Sequence, residues 1–243
     1  MGRIVMGCLY TREERGIIMK KYLVLPALMA ALFTPFMYAD VEGSVGVDSD
    51  YFWRGVSQND GNPAISLNLE YQGDGFYAGV WGSQVDYGDD IEIEYDWYAG
   101  YALALTDAMA IDVGLIQYNY DTNLDILVDG RGHDKTTYKS SEELYLGVGL
   151  NNFQLYHFVN IDNSDLTFTE LEYQLPFISQ VDVSLMYAMH SDESAALMGA
   201  DEDYFGMKMS KNYGNVKLSA MVMDGARHGD VMDMASVGIH YNF

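Results

Sequence analysis

The sequence predicts an all-β protein, an antiparallel transmembrane β-barrel of about 12 strands. Segments of about ten residues with alternating apolar and polar side chains recur along the chain, as in strands with one lipid-facing and one water-facing side. Short turns alternate with longer loops between these segments, which is the asymmetry of barrels with short periplasmic turns and long external loops. The final segment alternates up to an aromatic terminal residue, Phe243.

The C-terminal segment is the clearest single indication of a barrel. Its apolar residues Val237, Ile239, Tyr241 and Phe243 alternate with small or polar residues. This ending is typical of the last strand of bacterial outer-membrane barrels, so we expect these four residues to form the insertion signal for the barrel assembly machinery. The last strand must then pair with the first, because closure removes unpaired strand edges. A soluble β-sandwich can also end on a strand and stays open as an alternative.

The N-terminal region predicts export. From Met19 the sequence runs through Lys20-Lys21 and an uncharged apolar stretch, 22–36, to a cleavage site after Ala39. A short basic region followed by an apolar stretch and a small residue is the pattern of a signal peptide, and the stretch is too short for a spanning helix.

We therefore divide the chain into residues 1–39, an upstream extension plus the signal peptide, and residues 40–243, a single barrel domain. The one cysteine, Cys8, lies in the first part. The exported chain is thus expected to contain no disulfide.

The charge of the predicted exported chain restricts its partners. Residues 40–243 carry eight basic and 34 acidic residues, a formal net charge of −26. Nucleic-acid binding requires a basic surface and is not expected. Cations, cationic solutes and divalent-bridged lipopolysaccharide are the partners that this charge favours, besides outer-membrane lipid. A merely solubilising acidic surface is the alternative.

Alternation places the strands in order along the chain. Loops and turns between them are rich in Gly, Asn, Asp, Ser and Pro. The predicted strands are 40–50, 64–71, 76–85, 91–101, 109–120, 142–150, 153–160, 167–175, 181–190, 203–210, 216–223 and 231–243. The predicted short turns are 73–75, 103–108, 151–152, 176–180 and 211–215. Residues 86–90 form a short acidic loop, and the longer loops are 51–63, 121–140, 160–166, 191–202 and 224–230.

Strand 91–101 shows the two faces most clearly. Isoleucine and aromatic residues occupy one face, whereas Glu92, Glu94 and Asp96 occupy the other. An ordinary antiparallel sheet can supply these two environments, and so can a barrel wall with a water-filled lumen.

Two parts of the chain resemble the TorF-like family of outer-membrane porins. The resemblance covers residues 45–101 and the C-terminal strand, and it implies an outer-membrane barrel with a channel role but no particular substrate. The loop around Arg131 and the methionine-rich second half do not match. The motifs are Ser49-Asp50-Tyr51-x-x-Arg54-Gly55-Val56-Ser57-Gln58-x-Asp60-Gly61-x-Pro63-Ala64, Phe76-Tyr77-Ala78-Gly79-Val80-Trp81-x-Ser83 and Glu94-x-Asp96-x-Tyr98-Ala99-Gly100-Tyr101.

The predicted inner face is acidic. An acidic lumen attracts cations and repels anions, which predicts passive diffusion of small cationic or neutral polar solutes through a narrow channel. Alternatively, the basic residues neutralise the acids in a plugged lumen, since about 12 strands permit either case. The predicted lining residues are Asp48, Asp50, Arg54, Glu70, Glu92, Glu94, Asp96, Glu143, Glu170, Glu172, Asp182, Lys208 and Lys217.

Arg54 has two possible roles. An arginine that enters a carboxylate-lined lumen narrows the passage and pairs with the acids. The alternative, which we favour because such pairs most often only hold a fold, is a structural ion pair beside a Trp53 that lies in an interfacial aromatic girdle.

Signals for an enzyme or a metal site are weak, and no catalytic residue, metal ligand or cofactor is predicted. Polar clusters at His190–Ser194, His228–Asp230 and His133-Asp134 lack the spacing of a ligand set, and their convergence is not readable from sequence. Two alternatives remain besides the channel. One is a closed structural or adhesive barrel that acts through loops 121–140 and 191–202, and the other is a barrel enzyme using His190 or His228. Nothing in the sequence indicates the oligomeric state.

Overall fold

The computed structural model describes residues 40–87, 91–127, 135–178, 180–224 and 234–243. The predicted signal peptide, with its start at Met19 and cleavage after Ala39, lies outside the described residues. The same is true of the clusters at His133 and His228.

Most of the described chain is β-strand, because alternating segments separated by turn residues favour pleated structure. The elements in chain order are β1 (Asp40–Asp48), β2 (Phe52–Trp53), β3 (Val56–Ser57), β4 (Ala64–Gly73), β5 (Phe76–Gln84), β6 (Ile93–Thr106), β7 (Met109–Leu127), β8 (Lys135–Leu150), β9 (Phe153–Asn160), β10 (Thr167–Gln174), β11 (Asp182–His190), α1 (Asp192–Met198), β12 (Asp203–Tyr213), β13 (Val216–Met223) and β14 (Met234–Asn242). No helix in these ranges has the length and apolarity needed to cross a membrane.

Twelve of these strands form one closed antiparallel barrel, which confirms the predicted fold class. Each strand pairs with its sequence neighbour, and β1 and β14 close the ring with Asp48 opposite Gly238. Just beyond that ladder, the backbone N–H groups of Gly43 and Phe243 each donate to the other's carbonyl at 2.9 Å. Closure leaves no unpaired edge in the barrel. The two remaining strands, β2 and β3, form a separate hairpin.

The predicted tight turns at 73–75 and 151–152 are confirmed, whereas one predicted long loop is wrong. Asp74 and Asn151 have positive φ at the expected tight turns. The predicted 121–140 loop is wrong over most of its length, because β7 continues to Leu127 and β8 begins at Lys135. Pairing resumes there after an irregularity between Asn119 and Leu124. A paired ladder satisfies its own backbone groups, so two strands can stay paired beyond the segment that alternates.

Two smaller differences concern predicted connections. Strand β6 runs on to Thr106, which reduces the predicted 103–108 turn to two residues. The predicted 191–202 loop contains α1, where the Ser191 hydroxyl caps the N-terminus and Gly199 closes the C-terminus in the left-handed conformation. Ser and Gly at these two positions are the residues that helix ends favour.

The outer face of the barrel is apolar. Alternation directs large hydrophobic side chains outward all around the wall, for example Leu67, Trp97 and Leu144, and all of them are exposed. The four residues of the predicted insertion signal also lie exposed on this face. A continuous apolar outer surface matches the hydrocarbon-facing band of a membrane barrel.

The inner face of β5 to β9 packs tyrosine rings over glycines on the adjacent strands. Tyr98 lies over Gly79, and Tyr77 lies over Gly100, in each case directly across the ladder. A Cβ atom on Gly100 would lie 2.2 Å from the Tyr77 hydroxyl and 2.7 Å from the Val113 carbonyl oxygen. Tyr145 and Tyr156 repeat the arrangement further round the wall. The glycines therefore provide space for the interior tyrosines.

This packing makes Gly100→Val destabilising. The added side chain meets the Tyr77 ring and the neighbouring backbone, and overpacking of this kind costs about 1–3 kcal/mol. We expect the variant barrel to unfold at lower urea concentration in a gel-mobility assay. Ala99→Val, one residue away on the outer face, is the matched control and should unfold at the same urea concentration as the parent. Equal unfolding midpoints for Gly100→Val and the parent would contradict the packing.

Candidate functional site

A hairpin from the connection between β1 and β4 enters the barrel. Strands β2 and β3 are joined by Arg54 and Gly55, which both have positive φ, at 48° and 81°. Two such residues between two strands is the pattern of a tight hairpin turn, and glycine favours it. Phe52 and Arg54 are only 8% and 9% exposed. The segment 51–57, called the hairpin below, is therefore covered by the barrel wall and not by solvent.

Arg54 anchors the hairpin through an ion pair. Its Nη1 and Nη2 atoms donate to the two carboxylate oxygens of Glu143 on β8, at 2.8 and 2.5 Å. The Tyr118 hydroxyl on β7 donates to the same carboxylate at 3.0 Å. A forked pair of this kind fixes both distance and orientation. The hairpin tip is thereby held against β7 and β8.

Aromatic rings surround the Arg54 guanidinium. Its central carbon lies 4.5 Å from the ring centre of Trp53, 4.8 Å from that of Phe158 and 4.4 Å from that of Phe168. Burial alone lowers the pKa of Arg54, but the Glu143 carboxylate raises it above its ordinary value, so the group stays charged. Trp53 packs inside, against Arg54 and edge-on to Tyr118. The expectation that it lies in an interfacial girdle is wrong, because the hairpin turns inward.

His190 holds the backbone of the hairpin. Its Nε2 atom lies 3.0 Å from the Arg54 carbonyl oxygen, so this nitrogen carries the proton and donates it. Its Nδ1 atom then accepts from the Ser194 hydroxyl at 3.3 Å. Both ring nitrogens are thus engaged in a buried structural contact.

The hairpin spans the barrel interior from one wall to the other. Phe52 belongs to a buried cluster with Met186, Tyr204 and Met223 on β11 to β13. On the other side, the ring of Tyr51 lies 5.1 Å from that of Trp81 on β5. The hairpin therefore narrows the lumen near the ends of the strands that lead to the longer loops.

Two carboxylates near the hairpin have no partner for most of their oxygen atoms. Glu94 and Asp96 on β6 are 2% and 1% exposed. One oxygen of Glu94, both oxygens of Asp96 and the hydroxyl of Tyr51 accept or donate no hydrogen bond within the described part of the chain. Buried charge requires compensation, and the described residues give this pair little of it.

A second polar layer lies nearer the short turns. The Tyr98 hydroxyl donates to Glu70 at 2.8 Å, and the Tyr77 hydroxyl donates to Asp112 at 2.7 Å. Tyr156 donates to the other oxygen of Asp112 at 3.1 Å. Asp112 was not among the sequence-predicted residues, although the outward Ile111 and Val113 on either side of it carry the alternation signal that indicates its direction.

The remaining inner-face charges form mixed clusters. The Lys208 ammonium donates to Glu170 at 2.9 Å and to Glu172 at 3.1 Å. The Lys208 side chain is 33% exposed, so this cluster is partly open to solvent. Where β1 pairs with β14, Oδ1 of Asp48 lies 3.1 Å from Nε2 of His240.

Four predicted residues lie at the margins of this arrangement. Lys217 is on the inner face of β13, opposite His240. The carboxylate of Asp50 accepts a hydrogen bond from the hydroxyl of Ser57, at the end of the hairpin, at 2.9 Å. Glu92 and Asp182 are exposed at opposite ends of the barrel. The structure thus brings Arg54 and Glu143 together, and Lys208 with Glu170 and Glu172, but leaves Glu92 and Asp182 apart.

Residues 34–232 match the model of a bacterial protein family of unknown function, Gcw_chp. The chain belongs to the Gcw_chp family. The match includes the hairpin and every carboxylate described above. No curated protein matches this chain at a significant level.

Solved structures place this Gcw_chp barrel in a known architecture. A KdgM porin in complex with disordered oligogalacturonate is 10% identical, with a TM-score of 0.52, over 84% of this chain and 99% of that chain. A second KdgM porin structure has a TM-score of 0.53 at the same identity and coverage. At this identity the similarity shows the barrel fold.

Loss of the Arg54 anchor should destabilise the barrel strongly. Arg54→Ala leaves Glu143 buried without its counter-ion, and breaking a buried pair in this way costs about 3–5 kcal/mol. In urea unfolding followed by gel mobility, the unfolding midpoint of this variant should lie at a much lower urea concentration than that of the parent. Lys208→Ala, which removes a partly exposed cation, should cost less than about 1 kcal/mol. Equal shifts of the unfolding midpoint for the two variants would show that the Arg54–Glu143 pair stabilises the barrel no more than the Lys208 contacts do.

Proposed function

We propose that this protein is an integral outer-membrane porin that passes small cationic or neutral polar solutes through a lumen narrowed by the hairpin. The observation that carries the proposal is the hairpin itself, an inserted segment anchored to an ionisable inner wall in a closed barrel. A loop folded into a barrel restricts the passage without filling the whole lumen.

The location follows from the outer surface and from the sequence. The apolar side chains that face outward require lipid or detergent. The resemblance of residues 45–101 to TorF-like porins supports the same assignment, and so does the shared fold with the KdgM structures. We propose that the C-terminal strand engages the assembly machinery and that acidic external loops meet lipopolysaccharide through divalent cations.

The charge of the inner wall supports cation preference. Carboxylates outnumber basic groups on the described inner face, and Arg54 and Lys208 are both engaged by acids. The KdgM structure with oligogalacturonate shows a porin with a polyanionic ligand. Our chain would repel such a ligand electrostatically, so we propose a different solute class for the same architecture.

A closed structural or adhesive barrel is the second candidate. The observation that favours it is the depth of burial around the hairpin, where Tyr51 is 5% exposed and Asp96 is 1% exposed. A barrel packed in this way in its external half conducts only if the hairpin moves or leaves space beside it.

Planar-bilayer recordings under a KCl gradient distinguish the two candidates. For protein purified from outer membranes we expect discrete steps with a reversal potential that shows cation preference. The triple change Asp48→Asn, Glu170→Gln and Glu172→Gln should move the reversal potential toward zero, because it removes partly exposed lumen charge. Asp74→Asn, in an exposed turn, is the control.

Anion preference would contradict the proposed electrostatics but not the channel. A correctly folded barrel that shows no conductance steps would contradict the channel and favour the closed structural barrel.

A further inference from the structure

The lumen contains a pair of carboxylates that receive few hydrogen bonds from the described residues. Glu94 and Asp96 are two residues apart on β6, so both side chains point to the inner face of the barrel. Neither oxygen of Asp96 has a hydrogen-bond partner in the described residues, and one oxygen of Glu94 lacks one as well. Both side chains are more than nine-tenths buried.

The nearest guanidinium does not compensate this charge. Arg54 directs both of its terminal nitrogens to Glu143, which lies on a different strand. Two ionised carboxylates held together in a low-dielectric interior need a cation or protons. Among the described residues, the pair therefore lacks a positive group beside it.

Aromatic rings line the same place. In the strand register, Asp96 lies between Trp81 on β5 and Tyr118 on β7, and Glu94 lies opposite Tyr120. Tyr51 of the hairpin packs on Trp81, and its hydroxyl lies next to Glu94. Ring faces beside carboxylates attract organic cations, because the ring quadrupole adds to the charge–charge attraction.

The donor set does not suit a metal ion. Among the described residues no group of three His, Cys, Asp or Glu side chains is placed to hold one. Calcium requires six to eight oxygen ligands, and zinc prefers His and Cys. An ammonium group needs only two or three acceptors, and its carbon chain can contact the rings.

We propose that Glu94 and Asp96, with the rings of Tyr51, Trp81 and Tyr118, bind the primary ammonium group of an amine solute. This inference deepens the proposed channel function by naming the solute class and its place in the lumen. The site lies beside the hairpin, so a bound amine occupies the narrow part of the passage. Amine solutes would then be concentrated at the constriction.

Calorimetric titration of detergent-solubilised protein with butylammonium chloride tests the site directly. We expect saturable binding to the protein purified from outer membranes. Glu94→Gln together with Asp96→Asn should raise the dissociation constant at least about tenfold, since each charge-assisted hydrogen bond is worth about that factor or more. These amide changes keep side-chain shape and remove buried charge, so heat-modifiable gel mobility should confirm that the variant folds. The single change Asp96→Asn is the milder test if the double variant does not fold.

Glu70→Gln is the matched control. Glu70 is also a buried inner-face carboxylate, but it already accepts a hydrogen bond from Tyr98. Its neutralisation should leave the dissociation constant for butylammonium unchanged. Equal binding by the parent and the Glu94→Gln/Asp96→Asn variant, or no binding by the parent, would overturn the inference.

Bilayer conductance of the same preparations separates this inference from the channel proposal. Potassium conductance without butylammonium binding overturns the site and leaves the channel. Binding that depends on Glu94 and Asp96 without conductance supports the site and contradicts the channel.

Discussion

The ion pair between Arg54 and Glu143 is the interaction on which the interior of this barrel depends. It joins a residue near the start of the barrel to one near its middle, 89 positions apart, and both side chains are removed from solvent. Such a pair is strongly stabilising only if both partners stay in place, because either one alone is an uncompensated buried charge. It therefore commits the hairpin to the inside of the barrel, where Phe52 and Tyr51 pack against opposite walls.

The barrel wall imposes the second constraint. Closure between β1 and β14 pairs both edges of the sheet, and alternation then sends apolar side chains to the outer face and polar ones to the interior. An interior rich in carboxylates and tyrosines needs donors, and the tyrosine hydroxyls supply them to Glu70, Asp112 and Glu143. Glycines on adjacent strands make room for these rings. Within the described residues, Glu94 and Asp96 receive the least of this compensation, since three of their four carboxylate oxygens have no hydrogen-bond partner.

Much of this arrangement could be predicted from the sequence, and the limits have physical causes. Period-two alternation identifies the strands, their faces and the inward direction of Glu94 and Asp96. It cannot identify β2 and β3, which are too short for a period and are fixed by distant contacts. The inward direction of Asp112 can be predicted in the same way, since its apolar neighbours Ile111 and Val113 alternate with it. The extension of β7 to Leu127 cannot be identified in this way, because backbone pairing alone can continue a strand.

The position of the hairpin inside the lumen is the central claim, and single-channel conductance tests it most directly. Replacing residues 52–57 with two glycines removes the segment that crosses the interior and leaves the barrel strands intact. The account predicts a larger unitary conductance for the shortened protein than for the parent. Equal conductance in two folded proteins would contradict it, because the hairpin would then not narrow the path that ions take.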